Sequence, residues 1–412
     1  MRSLLLAGLV LVLSGINVPE LNAAGDPDAR MQSDAPGIID SKMIESNNQF
    51  ALELYRMIRA EDANTFFAPY SISAAMAMTY AGAREESARQ ISDVLHFSKN
   101  LNTFNRFYSG LLKYIRSLNQ ADSLELSTAN ALFAQVDYPF SDAYFKTISD
   151  YYGAGMQNLD FRNETEKSRG VINQWVEEQT KNKIQELLIP GILTELTRLV
   201  LVNAVYFNGN WKNAFDPSQN RKMDFYVKAG EPVMTEYMSY EGDFRYLEED
   251  SLQIVELPYA GGKASMWVML PSTHSAITIL ESKLSKEQLT IWNNHLSGKK
   301  IQLRIPKFKT TSEFELSDAL KKMGMPHPFS LDADLSGMTG KKDLMIDKVV
   351  HKAFIEVNEK GTEAAAATAV VIRTKNGVEI TRFFANKPFI FLIRENTYGG
   401  ILFMGRINNP LK

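Results

Sequence analysis

Apolar and polar positions divide the chain into helical and strand-like segments. Apolar residues recur every three or four positions at 104–118 and 166–183, which predicts two amphipathic helices. Residues 199–211, LVLVNAVYFNGNW, are almost continuously apolar, as is typical of a central strand buried on both faces. Alternation predicts further strands at 123–133, 225–238, 253–257, 265–271, 302–308 and 348–356. Without internal repeats, this mixture predicts one α+β domain.

A segment near the C-terminus, residues 357–384, has divided conformational preferences. Helix propensity favours its alanine-rich part, whereas the β-branched residues 370–372 favour a strand. In an extended conformation, the even positions from 362 to 374 are all uncharged and mostly small. The charges Glu363, Arg373 and Lys375 all fall on odd positions, hence on the opposite face. The pattern alone leaves two alternatives, a strand with an uncharged inward face or an exposed alanine-rich helix or linker.

Composition narrows the classes of function. The chain has 412 residues, 45% of them hydrophobic, and a net charge of −3, which gives no reason to expect nucleic acid or an anionic membrane as partner. The lack of cysteine excludes disulfides, thiolate metal sites and cysteine nucleophiles. No nucleophile elbow, phosphate loop, dinucleotide fingerprint or zinc-protease motif occurs, and the five histidines are scattered. We therefore expect no enzyme activity, catalytic residues, metal or cofactor.

The N-terminus has the pattern of a secretory signal. Arg2 supplies a positive charge, residues 4–13 form an apolar run, and small residues follow at positions 23 and 24. The run is too short to span a bilayer comfortably. We predict a signal peptide at residues 1–23 and a secreted, extracellular protein.

The mature chain is predicted to begin with a polar extension. Residues 24–40 are rich in Asp and Pro and are expected to be a flexible extension, and residues 41–412 form the folded domain. In a secreted protein, Asn163 of the Asn-Glu-Thr triplet is a usable glycosylation acceptor.

The divided segment carries a family resemblance. Glu359-Lys360-Gly361-Thr362-Glu363-Ala364-Ala365-Ala366-Ala367-Thr368 resembles the hinge of the reactive-centre loop in inhibitory serpins, a family of serine protease inhibitors. Asn386-Lys387-Pro388-Phe389 and Leu402-Phe403-Met404-Gly405-Arg406 resemble the strands that follow this loop, and other matches extend across nearly the whole chain after residue 40. The hinge residues implied are Glu359, Gly361, Thr362, Ala364, Ala366 and Thr368.

The resemblance implies a fold and a mechanism. The fold is a single α+β domain with a large central sheet, two further sheets, about eight or nine helices and an exposed reactive-centre loop at about residues 359–384. The activity is that of a suicide substrate. A serine protease forms a covalent acyl-enzyme with the loop, and insertion of the cleaved loop into the main sheet traps this complex.

Further residues match structural sites of the family. Ser71, Asn203 and His351 match a polar latch across the middle of the main sheet. Asn203 and His351 are polar residues in apolar runs, where they cost free energy unless they are hydrogen-bonded. Trp211 matches a tryptophan at the breach, the upper end of the strand beside which the loop inserts. Ala68 departs from the pattern, because the family commonly has serine there.

The position of the reactive bond is predicted by counting residues from the hinge glutamate. Inhibitory serpins usually place the residue before the cleaved bond sixteen positions after the glutamate that opens the hinge. Counting from Glu359 predicts cleavage between Lys375 and Asn376, with Arg373 and Thr374 as the second choice. A lysine at this position would enter the acidic specificity pocket of a trypsin-like protease.

Two alternatives stay open within the family. A non-inhibitory serpin acting as a carrier, chaperone or storage protein typically has bulky, charged or proline residues in the hinge. Residues 361–368 have none of these except Glu363, which lies on the outward face. Lys113 and Arg116 share a helix face and could form a weak glycosaminoglycan site or an ordinary solvated surface. We expect a monomer.

Overall fold

Two β-sheets organise the protein in a computed structural model, which describes residues 41–120, 123–362 and 380–412. The strands are β1 (Thr65–Phe67), β2 (Leu124–Gln135), β3 (Gly155–Leu159), β4 (Leu199–Asn210), β5 (Arg221–Lys228), β6 (Glu231–Glu249), β7 (Leu252–Pro258), β8 (Ala264–Pro271), β9 (Ser297–Pro306), β10 (Phe308–Glu315), β11 (Val349–Val357), β12 (Gly361–Thr362), β13 (Thr381–Phe384), β14 (Phe389–Glu395) and β15 (Ile401–Ile407).

Ten α-helices lie within the described residues, where eight or nine were predicted for the fold. They are α1 (Ser41–Ile58), α2 (Pro69–Gly82), α3 (Glu85–Leu95), α4 (Leu101–Ser117), α5 (Asp142–Thr147), α6 (Thr165–Gln179), α7 (Ala276–Lys283), α8 (Lys286–His295), α9 (Ser317–Lys322) and α10 (Ser336–Thr339). None of these described helices is both long enough and apolar enough to cross a membrane.

The main sheet has six strands in the order β10-β11-β12-β4-β2-β3. Strand β4 is its centre, antiparallel to β2 and parallel to the lower part of β11. Side chains at odd positions of β4, such as Val205, join the main core, whereas those at even positions, such as Val202, pack with Ile172 and Val176 of α6. The continuous apolar run of β4 is therefore explained by burial on both faces.

The second sheet has nine strands, in the order β1-β15-β14-β8-β7-β6-β9-β13, with β5 paired to β6. The two further sheets expected from the resemblance are one hydrogen-bonded sheet here. The reason is β6, which has 19 residues and pairs with β5 and β9 at its start and middle and with β7 at its end.

Three boundaries differ from those predicted. The predicted strand at 225–238 is wrong, because Gly230, with a φ of +80°, turns the chain between β5 and β6. The predicted strand at 302–308 spans the end of β9 and the start of β10. Helix α6 ends at Gln179, before residue 183, because Lys181 and Asn182 adopt left-handed backbone angles.

Candidate functional site

A gap between β11 and β4 opens at the top of the main sheet. The two strands pair directly only up to Phe354 and Tyr206. Beyond Val357 the chain turns at residues 358–360 and returns as β12 between the two strands. Strand β12 is antiparallel to both neighbours, with Gly361 opposite Asn210 and Thr362 opposite Gly209 on β4, and Thr362 opposite Val357 on β11. The beginning of the predicted hinge is therefore already part of the sheet.

Trp211 holds the turn that precedes β12. Its backbone N–H donates to the Lys360 carbonyl at 2.8 Å, and its indole Nε1 donates to the Asn358 carbonyl at 2.9 Å. The backbone N–H of Phe215 donates to the Glu359 carbonyl at 2.7 Å. All three carbonyls of the turn thus accept a hydrogen bond, as buried backbone requires.

The two residues of β12 fit tightly into the gap. Thr362 is fully buried, and its Oγ1 lies 2.8 Å from the hydroxyl oxygen of Tyr259, which is also fully buried and stacks on Trp211 with ring centroids 4.7 Å apart. A Cβ on Gly361 would lie 2.0 Å from the Gly209 carbonyl oxygen, so only glycine fits at this position. Tyr259 and Gly209 were not foreseen as site residues.

An ion pair anchors the turn from outside the sheet. Lys307 Nζ lies 2.9 Å from Glu359 Oε1 and 3.5 Å from Glu236 Oε2, and Asn220 donates a further hydrogen bond to Glu359. Burial raises the pKa of Glu359, but hydrogen bonds from its own backbone, Lys307 and Asn220 outweigh burial and lower the pKa overall. Glu359 is therefore ionised at neutral pH.

The predicted latch residues meet in the middle of the sheet. His351 and Asn203 are opposite each other on β11 and β4, and His351 Nδ1 lies 2.6 Å from Asn203 Oδ1. Asn203 Nδ2 donates to the Ser71 carbonyl at 2.7 Å, contacts Ser71 Oγ, and donates to Asn130 Oδ1 at 2.5 Å. Strand β11 is thus tied through β4 to β2 and to the start of α2.

The hydrogen bonds of His351 define its protonation. Its Nε2 accepts from the backbone N–H of Ala68 at 3.1 Å, so the proton of the neutral ring is on Nδ1 and is donated to Asn203. Burial lowers the pKa of His351 to about 3. Because the donor at position 68 is backbone, replacement of the usual serine by alanine keeps this contact.

The other predicted residues lie apart from the gap or outside the described residues. Asn163 is exposed before α6, and its Nδ2 donates to Asp160 at 2.9 Å. Lys113 and Arg116 are half-buried on α4, where glycosaminoglycan binding stays a prediction. Ala364, Ala366 and Thr368 of the hinge, and the residues of both predicted reactive bonds, lie outside the described residues. Among the described residues, no group of three His, Asp or Glu side chains could hold a metal ion.

Comparison with known proteins identifies the family. The family model described as Serpin (serine protease inhibitor) matches residues 45–410. The chain belongs to the serpin family. The resemblance and the α+β serpin fold are thereby confirmed, and the family is one of protease inhibitors whose partners are serine proteases.

Individual serpins are similar over almost their full length. Serpin B6 of Macaca fascicularis is 38% identical over 375 residues, which cover 89% of this serpin and 99% of the relative. The human leukocyte elastase inhibitor is 36% identical over 381 residues, which cover 90% and 100%. Thyroxine-binding globulin in complex with thyroxine superimposes with a TM-score of 0.82 at 29% identity, covering 90% of this chain and 100% of that one.

Proposed function

We propose that this serpin is a secreted suicide-substrate inhibitor of trypsin-like serine proteases. The serine of the protease attacks the carbonyl carbon of Lys375, the bond to Asn376 breaks, and the new amine leaves. Lys375 is then esterified to the protease serine. The freed part of the loop enters the gap between β11 and β4 and carries the attached protease with it before water completes hydrolysis.

The position of β12 is the observation that carries this proposal. If its register continues, each further loop residue lies opposite the next lower residue of β4, and the strand from Asn210 to Leu199 accommodates residues 361–372. The even-numbered loop residues then share the face of Thr362, which points into the main core. These are the uncharged, mostly small residues of the loop.

The energy of insertion is sufficient to distort a protease. Ten or more new backbone hydrogen bonds at roughly 1 kcal/mol each give on the order of 10 kcal/mol. A typical protein is stable by only about 5–15 kcal/mol in total. Insertion of residues 361–372 does not require a charged side chain to be buried within the sheet. Glu363 is the only charged residue among them, and it would lie at the open upper end of the gap between β11 and β4.

The predicted trypsin-like specificity and the predicted secretion are both supported by the sequence. A lysine before the cleaved bond suits the acidic pocket of trypsin-like proteases, and Arg373 would suit the same pocket. The signal peptide at residues 1–23 lies outside both the described residues and the range that matches the family. The prediction of secretion therefore rests on the signal-peptide pattern alone.

A gel experiment with trypsin tests the proposal. We expect a covalent complex that survives denaturing electrophoresis, together with a released C-terminal fragment whose sequence starts at Asn376. A fragment that starts at Thr374 would move the reactive bond to Arg373. Complete cleavage without any complex would contradict inhibition.

The non-inhibitory alternative has one observation in its favour. The structural likeness to a thyroxine-binding globulin that carries thyroxine is as high as a TM-score of 0.82. A carrier would be cleaved by trypsin without a stable complex, so the same gel separates the two functions.

A further inference from the structure

The side chain of Arg304 crosses several strands of the nine-stranded sheet. Arg304 lies on β9 opposite Ser239 of β6, and β6 in turn pairs with β5. Its Nη1 donates a hydrogen bond to the sulfur of Met223 on β5, at a distance of 3.2 Å. Its guanidinium carbon lies 4.6 Å from the centre of the Phe384 ring on β13. One arginine thus contacts side chains on both sides of its own strand.

The contact with Met223 leaves the guanidinium short of good acceptors. A thioether sulfur is only a weak acceptor. Among the described residues, Arg304 Nε is buried without a hydrogen-bond partner, and no carboxylate forms an ion pair with this side chain. By contrast, Arg245 of the same sheet lies 2.6 Å from Glu256. Buried donors without partners are rare in folded proteins, so an additional oxygen acceptor beside Arg304 would be stabilising.

Met223 is within reach of a small oxidant. Its side chain is only partly buried and packs against the core. Oxidation adds one oxygen atom to a methionine sulfur, and the resulting sulfoxide is polar. Within an apolar core such an oxygen is destabilising, because it finds no donor. The sulfur of Met223 already lies 3.2 Å from a donor, so an oxygen bonded to it can reach the same guanidinium.

We infer that Met223 is an oxidation site at which Arg304 binds the sulfoxide oxygen. The oxidant is a hydroperoxide. The sulfur attacks the terminal oxygen of the hydroperoxide, so that an S–O bond forms and the O–O bond breaks. The sulfur is oxidised by two electrons, and the departing oxygen takes these electrons together with the proton of the transferred oxygen.

With hydrogen peroxide the second product is water. The oxygen on Met223 then accepts a charge-assisted hydrogen bond from the Arg304 guanidinium in place of the weak bond to sulfur. The Phe384 ring packs on the guanidinium and helps to hold it in position. Oxidation therefore ties β5 more firmly to β9, whereas oxidation of a methionine without such a donor would weaken the fold.

Mild oxidation of matched variants tests the site. Wild type, Met223→Leu and Arg304→Leu are each treated with hydrogen peroxide, oxidation is located by mass spectrometry of peptides, and melting temperatures are measured by calorimetry. Met57, Met234 and Met345 are more exposed and react as well, so Met223→Leu measures their contribution. We expect the change in melting temperature on oxidation to be more positive by about 2 °C in wild type than in Met223→Leu. In Arg304→Leu this difference should be absent or reversed.

Two outcomes overturn the inference. If Met223 stays unoxidised while the three more exposed methionines are converted, its sulfur is out of reach of peroxide. If oxidation of Met223 lowers the melting temperature in wild type and in Arg304→Leu alike, the guanidinium does not bind the oxygen and the change is ordinary damage. The comparison of wild type with Met223→Leu does not need the arginine variant, so the sign of the shift decides the matter even if Arg304→Leu does not fold.

Discussion

His351 is a buried histidine that the fold keeps neutral. Both ring nitrogens are engaged, Nε2 as acceptor from Ala68 and Nδ1 as donor to Asn203. A second proton would leave the Ala68 N–H facing another donor inside the core. Burial lowers the pKa of His351, and this hydrogen-bond arrangement likewise disfavours the charged ring.

The pKa of His351 predicts a loss of stability in mild acid. In the unfolded chain histidine takes up a proton below about pH 6.5, whereas folded His351 stays neutral down to a pKa of about 3. The stabilisation is thus fully present above pH 6.5 and is lost as the pH falls toward 3, by roughly 1.4 kcal/mol per pH unit. Urea unfolding between pH 7 and 5 measures this slope. This range lies above the ordinary pKa values of carboxylates, so these groups contribute little to the slope.

Two variants of the latch isolate the effect. His351→Gln should be less stable at pH 7, and the slope of its unfolding free energy between pH 6.5 and 5 should be smaller by the contribution of about one proton. Asn130→Ala is the control, because it removes another polar side chain of the latch but no titratable group, and it should keep the wild-type slope. An unchanged slope in His351→Gln would show that another group titrates in this range.

At the scale of elements, β12 links the hinge to the sheet. It has only two residues, yet it pairs with both β4 and β11, and the hydroxyl of Thr362 contacts Tyr259. The side chain at position 362 therefore decides whether the hinge can occupy the gap.

Thr362→Arg is expected to convert the inhibitor into a substrate. The longer side chain would bury an unpaired charge beside Tyr259 at a cost of several kcal/mol, so the hinge should leave the gap and insertion should stall. With trypsin we expect the yield of covalent complex to fall by about tenfold or more while cleavage continues. Thr362→Ser keeps the hydroxyl that faces Tyr259 and should retain most of the yield. An undiminished yield in Thr362→Arg would refute the insertion assignment.

Sequence patterns predicted elements better than contacts between them. The apolar run of β4 indicated burial on both faces, because that pattern is local to one strand. The turn at Gly230 was missed, because the alternation on its two sides continues in phase. Asn130 was missed as a member of the latch, since its place opposite Asn203 depends on the register of two strands far apart in sequence. For the same reason Lys307 and Tyr259 carried no signal of their contact with the hinge.

The whole molecule is predicted to be more stable after cleavage than before. Insertion adds about 10 kcal/mol of hydrogen bonding, and a folded unit of about 370 residues has an unfolding entropy near 0.8 kcal/mol/K. A single nick beside Lys375 should therefore raise the melting temperature by roughly 10–15 °C. Calorimetry on intact and nicked protein checks this, with a nick within the predicted N-terminal extension, residues 24–40, as control. A nicked form that melts no higher would mean that the loop does not insert.

In the proposed insertion, the latch formed by Ser71, Asn203 and His351 lies directly on the path of the incoming strand. Continued from β12, the register brings Thr368 level with both Asn203 and His351, so insertion must break their 2.6 Å hydrogen bond at its eighth residue. Three direct β11–β4 pairs separate before this point and two after it. The proposed insertion thus has a barrier halfway along its path. If the register continues, the inserted Thr368 would lie on the same side of the sheet as His351, and its hydroxyl would replace Asn203 as the acceptor of the Nδ1 proton.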